Sequence, residues 1–131
     1  GNDGAVTGAS VLNRPKNDEH EGIVVSGGTL NFGTATELTI SGGVITLVSS
    51  WHLVDTEADA ASDDLDTING GKAGDFLILT PATSARTVVI KDGTGNLKTA
   101  GDFAMDNEDD KIAFINIASL WFELFRSDNG A

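Results

Sequence analysis

The side chains with the means for chemistry are few. His52 stands beside Trp51, with Ser49, Ser50 and Asp55 close in sequence, the residue types of a Ser-His-Asp relay. No nucleophile elbow accompanies them. A histidine beside tryptophan on an apolar strand reads as a packing or rim residue. The other histidine, His20, falls in a polar segment. Gly93 and Gly95 lie between strand-like runs rather than ahead of a helix with Lys-Ser/Thr, so no phosphate cradle is present. Carboxylates abound, but they fall in turns with no apolar pocket to raise one pKa and leave another low. These features argue against an enzyme.

Three acidic clusters have the oxygen donors that a hard cation needs: Asp63/Asp64/Asp66, Asp92 with Thr94 and Asn96, and Asp106/Glu108/Asp109/Asp110. Calcium takes about six to eight oxygens, some from backbone carbonyls, and turns can supply them. None of the clusters carries the full loop that ends in a bidentate glutamate. If calcium binds, Asp92, Asn96, Asp106 and Asp109 are the expected ligands. The competing reading is a set of solvated turns whose Asp and Asn side chains stabilise the bends. No other cofactor is called for.

The elements that would position these residues are strands. At 131 residues the chain has the size of one domain with an appended arm. It has no cysteine, which rules out disulfides and thiolate sites. The formal charge of -12 argues against nucleic acid as a partner, since phosphate neutralisation needs clustered Lys and Arg. No window reaches the ~20 apolar residues of a membrane helix. The first residue is Gly1 rather than Met, as in a processed chain or an excised fragment.

Residues 1–22, GNDGAVTGASVLNRPKNDEHEG, show neither strand nor helix periodicity and read as an extended, solvated arm or linker. Residues 23–131 read as a β-rich domain. Strands are expected at 23–25, 29–32, 37–40, 44–48, 51–55, 75–80, 86–91, 96–98, 103–105, 111–117 and 120–126, with Gly42-Gly43 and Asp92–Asn96 as turns. This punctuation predicts an all-β domain, a compact antiparallel sandwich or barrel-like module. One short helical turn is expected near 62–69. There Ser62 caps, Asp63 and Asp64 face the helix dipole, and Leu65 and Ile68 at i and i+3 plug an open end of the core.

Several strands are apolar on both faces: Phe76–Leu79, Val88–Ile90, Ile112–Ile115 and Trp121–Phe122. Covered central strands have this pattern, and so do strands whose second face meets a neighbouring subunit. With little helix available for cover, the pattern favours an oligomer. Phe114, Trp121, Phe122 and Phe125 are the residues expected at its subunit contacts.

Three stretches, WHLVDTEADAASDDLDTINGGKAGDFLIL at 51–79, ARTVVIKDGTGNLKTAGDFAMDNEDDKIAFI at 85–115 and LWFELFRSDN at 120–129, carry a family likeness. With them, residues 34–129 resemble a β-rich module at the C-terminal end of tailed-phage virion proteins, chiefly tail fibres and head or capsid fibres. INIASLW at 115–121 departs from the family, which has a Tyr-Asp-Gly type of turn before the tryptophan. The resemblance implies a homotrimer on the virion surface, displayed outside the cell and attaching to a host glycan or protein. It implies no catalytic residues. In that setting the arm would join other virion proteins. Two further readings stay open: a capsid decoration or cement protein, and a secreted monomeric carbohydrate-binding module.

Overall fold

A computed structural model describes residues 22–130. The chain divides into two units, Gly1–Asn31 and Phe32–Ala131. Described residues of the first unit form no strand or helix, and Ile23, Val24, Val25 and Leu30 are exposed. The strands expected at 23–25 and 29–32 are therefore not formed; β-branched composition suits a strand but does not create one. Apart from Gly22, the expected arm lies outside the described residues.

The second unit is all-β. Its strands are β1 (Thr36–Thr39), β2 (Val44–Thr46), β3 (Trp51–Asp55), β4 (Ser62–Leu65), β5 (Thr67–Asn69), β6 (Phe76–Pro81), β7 (Thr87–Ile90), β8 (Leu97–Lys98), β9 (Phe103–Met105), β10 (Lys111–Ile117) and β11 (Leu120–Ser127). Among the described residues, the one helical segment is a 3-10 turn at Glu57–Asp59.

The strands do not pair as an antiparallel sandwich. Successive circuits of the chain stack, as in a solenoid, and build three walls. The first runs β1-β3-β6 in parallel, the second pairs β2 with β5 in parallel, and the third pairs β4 with β7 in parallel. Antiparallel strands then finish the stack: β10 joins β6, β11 joins β10, and β9 joins β7. β8 lies parallel to β11 at the edge. Each pair in the parallel walls is separated by other strands in sequence, so no hairpin can impose an antiparallel register there. The expected Gly42-Gly43 turn is present, both residues having positive φ (58° and 80°), but it closes only the bridge between Ser41 and Val44.

The helical plug expected at 62–69 is instead two strands, β4 and β5, meeting at a corner at Asp66. Leu65 and Ile68 are both buried, as expected of a plug, but as steps in different walls. Leu65 pairs in register with Ile90, and Ile68 with Ile45. The corner is held by the Gly43 carbonyl, which accepts from Asp66 N–H (2.8 Å) and Thr67 N–H (3.1 Å). A chain that bends between two strands can bury residues three apart, which is also the helical signature. Ser62 begins a strand and caps no helix.

The core fills the space between the walls. In the first wall Leu38, Val54 and Pro81 stand in one cross-strand row, and Thr36, His52, Leu79 and Ile112 in the next. Phe114 and Trp121 pack edge to face, ring centres 6.4 Å apart, and both are fully buried.

Candidate functional site

Most polar residues singled out by type hold the backbone. His52 is fully buried. Its Nε2 accepts from Val48 N–H and Ser49 N–H (3.1 Å each), so the proton sits on Nδ1, which donates to the Thr36 carbonyl (2.9 Å). Ser49 Oγ donates to the Trp51 carbonyl (3.2 Å). Asp55 receives Arg86 Nε and Nη2 at 2.7 and 2.8 Å and Thr56 N–H at 2.8 Å. The bidentate guanidinium holds the Asp55 carboxyl below its ordinary range, against a burial that pushes it up. The serine, histidine and aspartate are therefore each engaged elsewhere and form no relay.

The turn at 92–96 is likewise engaged. Asn96 behaves as an extra peptide group at the end of the β2-β5 wall: its Oδ1 accepts Ile68 N–H (2.9 Å) and its Nδ2 donates to the Ile68 carbonyl (2.8 Å). Thr94 Oγ1 donates to Asp66 (2.7 Å), and Asp92 Oδ1 accepts Thr99 N–H (2.9 Å). Gly95 lies so close to the Asp66 carbonyl that a β-carbon would overlap it. Asp92, Thr94 and Asn96 thus have three separate partners and do not converge on one point.

The acids that do converge are Asp106, Asp110 and Asp128. Asp109, expected as a ligand, is not in this group, and Asp128, not expected, is. Asp110 is fully buried and pins the loop: one oxygen accepts Asp106 and Asn107 N–H (2.9 and 3.0 Å), the other Asn129 N–H (2.6 Å). Two further ion pairs fasten the neighbouring loop. Arg126 lies 4.7 Å above the Phe103 ring and grips Glu123 through two 2.8 Å bonds, and these bonds hold the Glu123 carboxyl below its ordinary range. Asp102 accepts Asp92 N–H (2.8 Å) and Lys91 Nζ (2.7 Å), and both bonds lower its pKa.

The expected contact aromatics separate into two pairs. Phe114 and Trp121 are core residues with no surface to offer. Phe122 and Phe125 stand on the outward face of the first wall, 37% and 55% exposed. Alternation places Trp121 and Phe122 on opposite faces. Phe125 would then face inward, but the register shifts at Ala113/Phe114, so that Leu124 is the extra residue and Phe125 pairs with Ala113. The bulge puts Phe122 and Phe125 on the same side.

They have apolar neighbours. Phe76, Ile115 and Phe122 form one row of the face, and Trp51, Ile78, Ala113 and Phe125 form the next. Phe32 stacks on Phe76 at 5.4 Å. Beyond Phe122 the face continues to Ile117 and Leu120, which flank the turn Ala118-Ser119. Both turn residues have positive φ (53° and 69°), a conformation that costs a non-glycine residue about 1 kcal/mol or more. Charge appears only at the rim, at Lys98, Lys111 and Glu37. Trp51, Phe76, Ile78 and Ile115 join the two exposed phenylalanines although the aromatic content of the last strands pointed only to the latter. Their signal was the unbroken apolar runs Phe76–Leu79 in β6 and Ile112–Ile115 in β10.

A shallow groove of about 350 Å³ borders this face, lined by Leu47, Val48, Lys72, Asp75 and Phe76 among others. No described helix is long and apolar enough to cross a membrane. No family model matches the sequence, and no curated protein matches it.

Proposed function

We propose that this chain is a non-catalytic structural protein of the virion surface, the knob of a tail fibre or capsid fibre. Three copies associate, and the assembly is displayed toward the host, whose surface glycan or protein it engages. The observation that carries this reading is the apolar outward face, charged only at its rim, on a chain of net charge -12. A monomer in water has no use for such a face, whereas an appendage built from several chains does. Two features support it further. The resemblance of residues 34–129 to fibre modules points the same way, and the polar candidates serve to close loops rather than to converge on a reacting atom. In this reading residues 1–22 join the knob to other virion proteins.

Localisation tests the proposal. Antibodies raised against the second unit are expected to label intact particles at a projecting appendage in electron microscopy. Labelling spread evenly over the shell would assign a decoration role instead. Particles free of the chain would overturn the virion reading.

A further inference from the structure

The structure assigns the contact between copies to one surface: the outward face of β6, β10 and β11 together with the β10–β11 hairpin tip. This rests on the appendage reading and specifies which residues meet. The occupant we infer is a further copy of this chain; the number of three copies is that of the appendage reading.

Three observations select that occupant. The first is area. With the exposures of Ile117 (51%), Phe122 (37%), Phe125 (55%) and Phe32 (37%) and its half-buried neighbours, the face presents on the order of 600 Å². That is the top of the range for a patch on a monomer, and it approaches the ~800 Å² per partner of a stable interface. The second is charge. Copies carrying -12 each repel, and screening weakens but does not abolish this, so they can meet only where carboxylates are few. The two central rows hold none, and the rim carries two cations, Lys98 and Lys111, suited to the acidic surface of a neighbouring copy, against one carboxylate, Glu37. A basic partner would find its complement elsewhere, on the acidic loops.

The third observation is the hairpin. A two-residue turn of this form favours Asn-Gly, yet Ala118 and Ser119 occupy it, with Ile117 exposed beside them. A turn serving only to reverse the chain gains nothing from these residues. Packed against a second copy, the Ile117–Leu120 tip contributes apolar contact that Asn-Gly would forfeit.

The test uses the whole chain at micromolar concentration in moderate salt, with mass read by light scattering and native mass spectrometry. Wild type is expected at three copies. Phe122→Asp with Phe125→Asp is expected as a single copy with an unchanged β-type circular dichroism spectrum, and Phe125→Asp alone should weaken assembly by roughly 30-fold or more. Because the chain lacks cysteine, a second measurement does not depend on those charged variants folding. Pyrene attached at Phe125→Cys should give excimer emission, and pyrene at Ser84→Cys, on the loop between β6 and β7, should not. A trimeric wild type whose double variant stays trimeric, or in which the Phe125 label gives no excimer, overturns the assigned surface and leaves the appendage reading standing. A monomeric wild type overturns the inference itself, and particle labelling then decides the appendage reading independently.

Discussion

Trp121 and Phe122 are joined by one peptide bond and live in opposite environments. Trp121 is fully buried, edge to face with Phe114, its indole Nε1 donating to the Ile68 carbonyl at 3.2 Å. Phe122 is among the exposed residues on the other side of the same strand. The inward face is finished within one chain: rows of apolar side chains meet, and the second wall ends on the Asn96 amide, which satisfies the Ile68 backbone. The outward face is equally apolar and remains open. The difference teaches that hydrophobic composition does not mark the core of this protein. Direction does, and in β11 direction is reset by a bulge.

The strongest way to break this comparison is to truncate the same type of residue on each side. Trp121→Ala and Phe114→Ala should each lower unfolding free energy by about 3 to 5 kcal/mol in chemical denaturation. Phe122→Ala and Phe125→Ala, measured at concentrations where the chain is a single copy, should cost less than about 1 kcal/mol. Equal losses on both sides would erase the distinction. Gly71→Ala belongs to the first group, because its β-carbon would collide with the Trp121 ring.

Next in size are the two residues at the corner. Leu65→Ala and Ile68→Ala should each cost about 2 to 4 kcal/mol, while Ser62→Ala should have little effect, since no helix begins there. A large loss at Ser62 would revive the helical plug. Asn96→Ala comes below them. It strips the end of the second wall of a two-way bond and should cost about 1 to 3 kcal/mol, read as a shift in the denaturation midpoint at constant slope.

Relief of strain at the outward hairpin is smaller and opposite in sign. Ser119→Gly should stabilise the single-copy protein by roughly 0.5 to 1 kcal/mol. No gain would mean that the turn is unstrained and would remove the contrast between tip and core.

The acid response should be the gentlest effect, because its ion pairs are partly solvated. Asp55, Asp102 and Glu123 have folded-state pKa values lowered by their partners. Their contribution is present above the ordinary carboxylate range, about pH 4, and is lost as pH falls through the lower folded values. Melting temperature should therefore decline below about pH 4, and Arg86→Ala should flatten part of that decline. A melting temperature that rises on acidification would contradict the assigned ion pairs.

Much of the element map was legible in the sequence. Trp51–Asp55, Phe103–Met105 and Lys111–Ile117 form strands with the expected bounds, because β-branched and aromatic runs between Gly, Asn and Asp leave few alternatives. The acidic turns at 92–96 and 106–110 were legible as turns, though not their wiring, whereas Asp63 and Asp64 stand in β4. Asn96 reads as a turn residue or a ligand from its type, and only the stacked strand beneath it makes its amide a substitute peptide group. Of the expected calcium ligands, Asp106 meets other acids, Asp110 and Asp128, whereas Asp92, Asn96 and Asp109 do not join that group.

What the sequence determined by itself is that this chain is all-β, rich in turns, strongly acidic and apolar on both sides of several strands. Those properties follow from residue type and a two-residue period, which act locally. What the tertiary structure decided is which strands pair, which faces turn inward and where aromatic side chains end up. Parallel partners such as Thr36 and His52 are joined through an intervening strand, so no local signal fixes their register. The shift at Ala113/Phe114 rotates Phe125 outward through a single extra residue, and no period read along the chain can place that residue without its neighbouring strand.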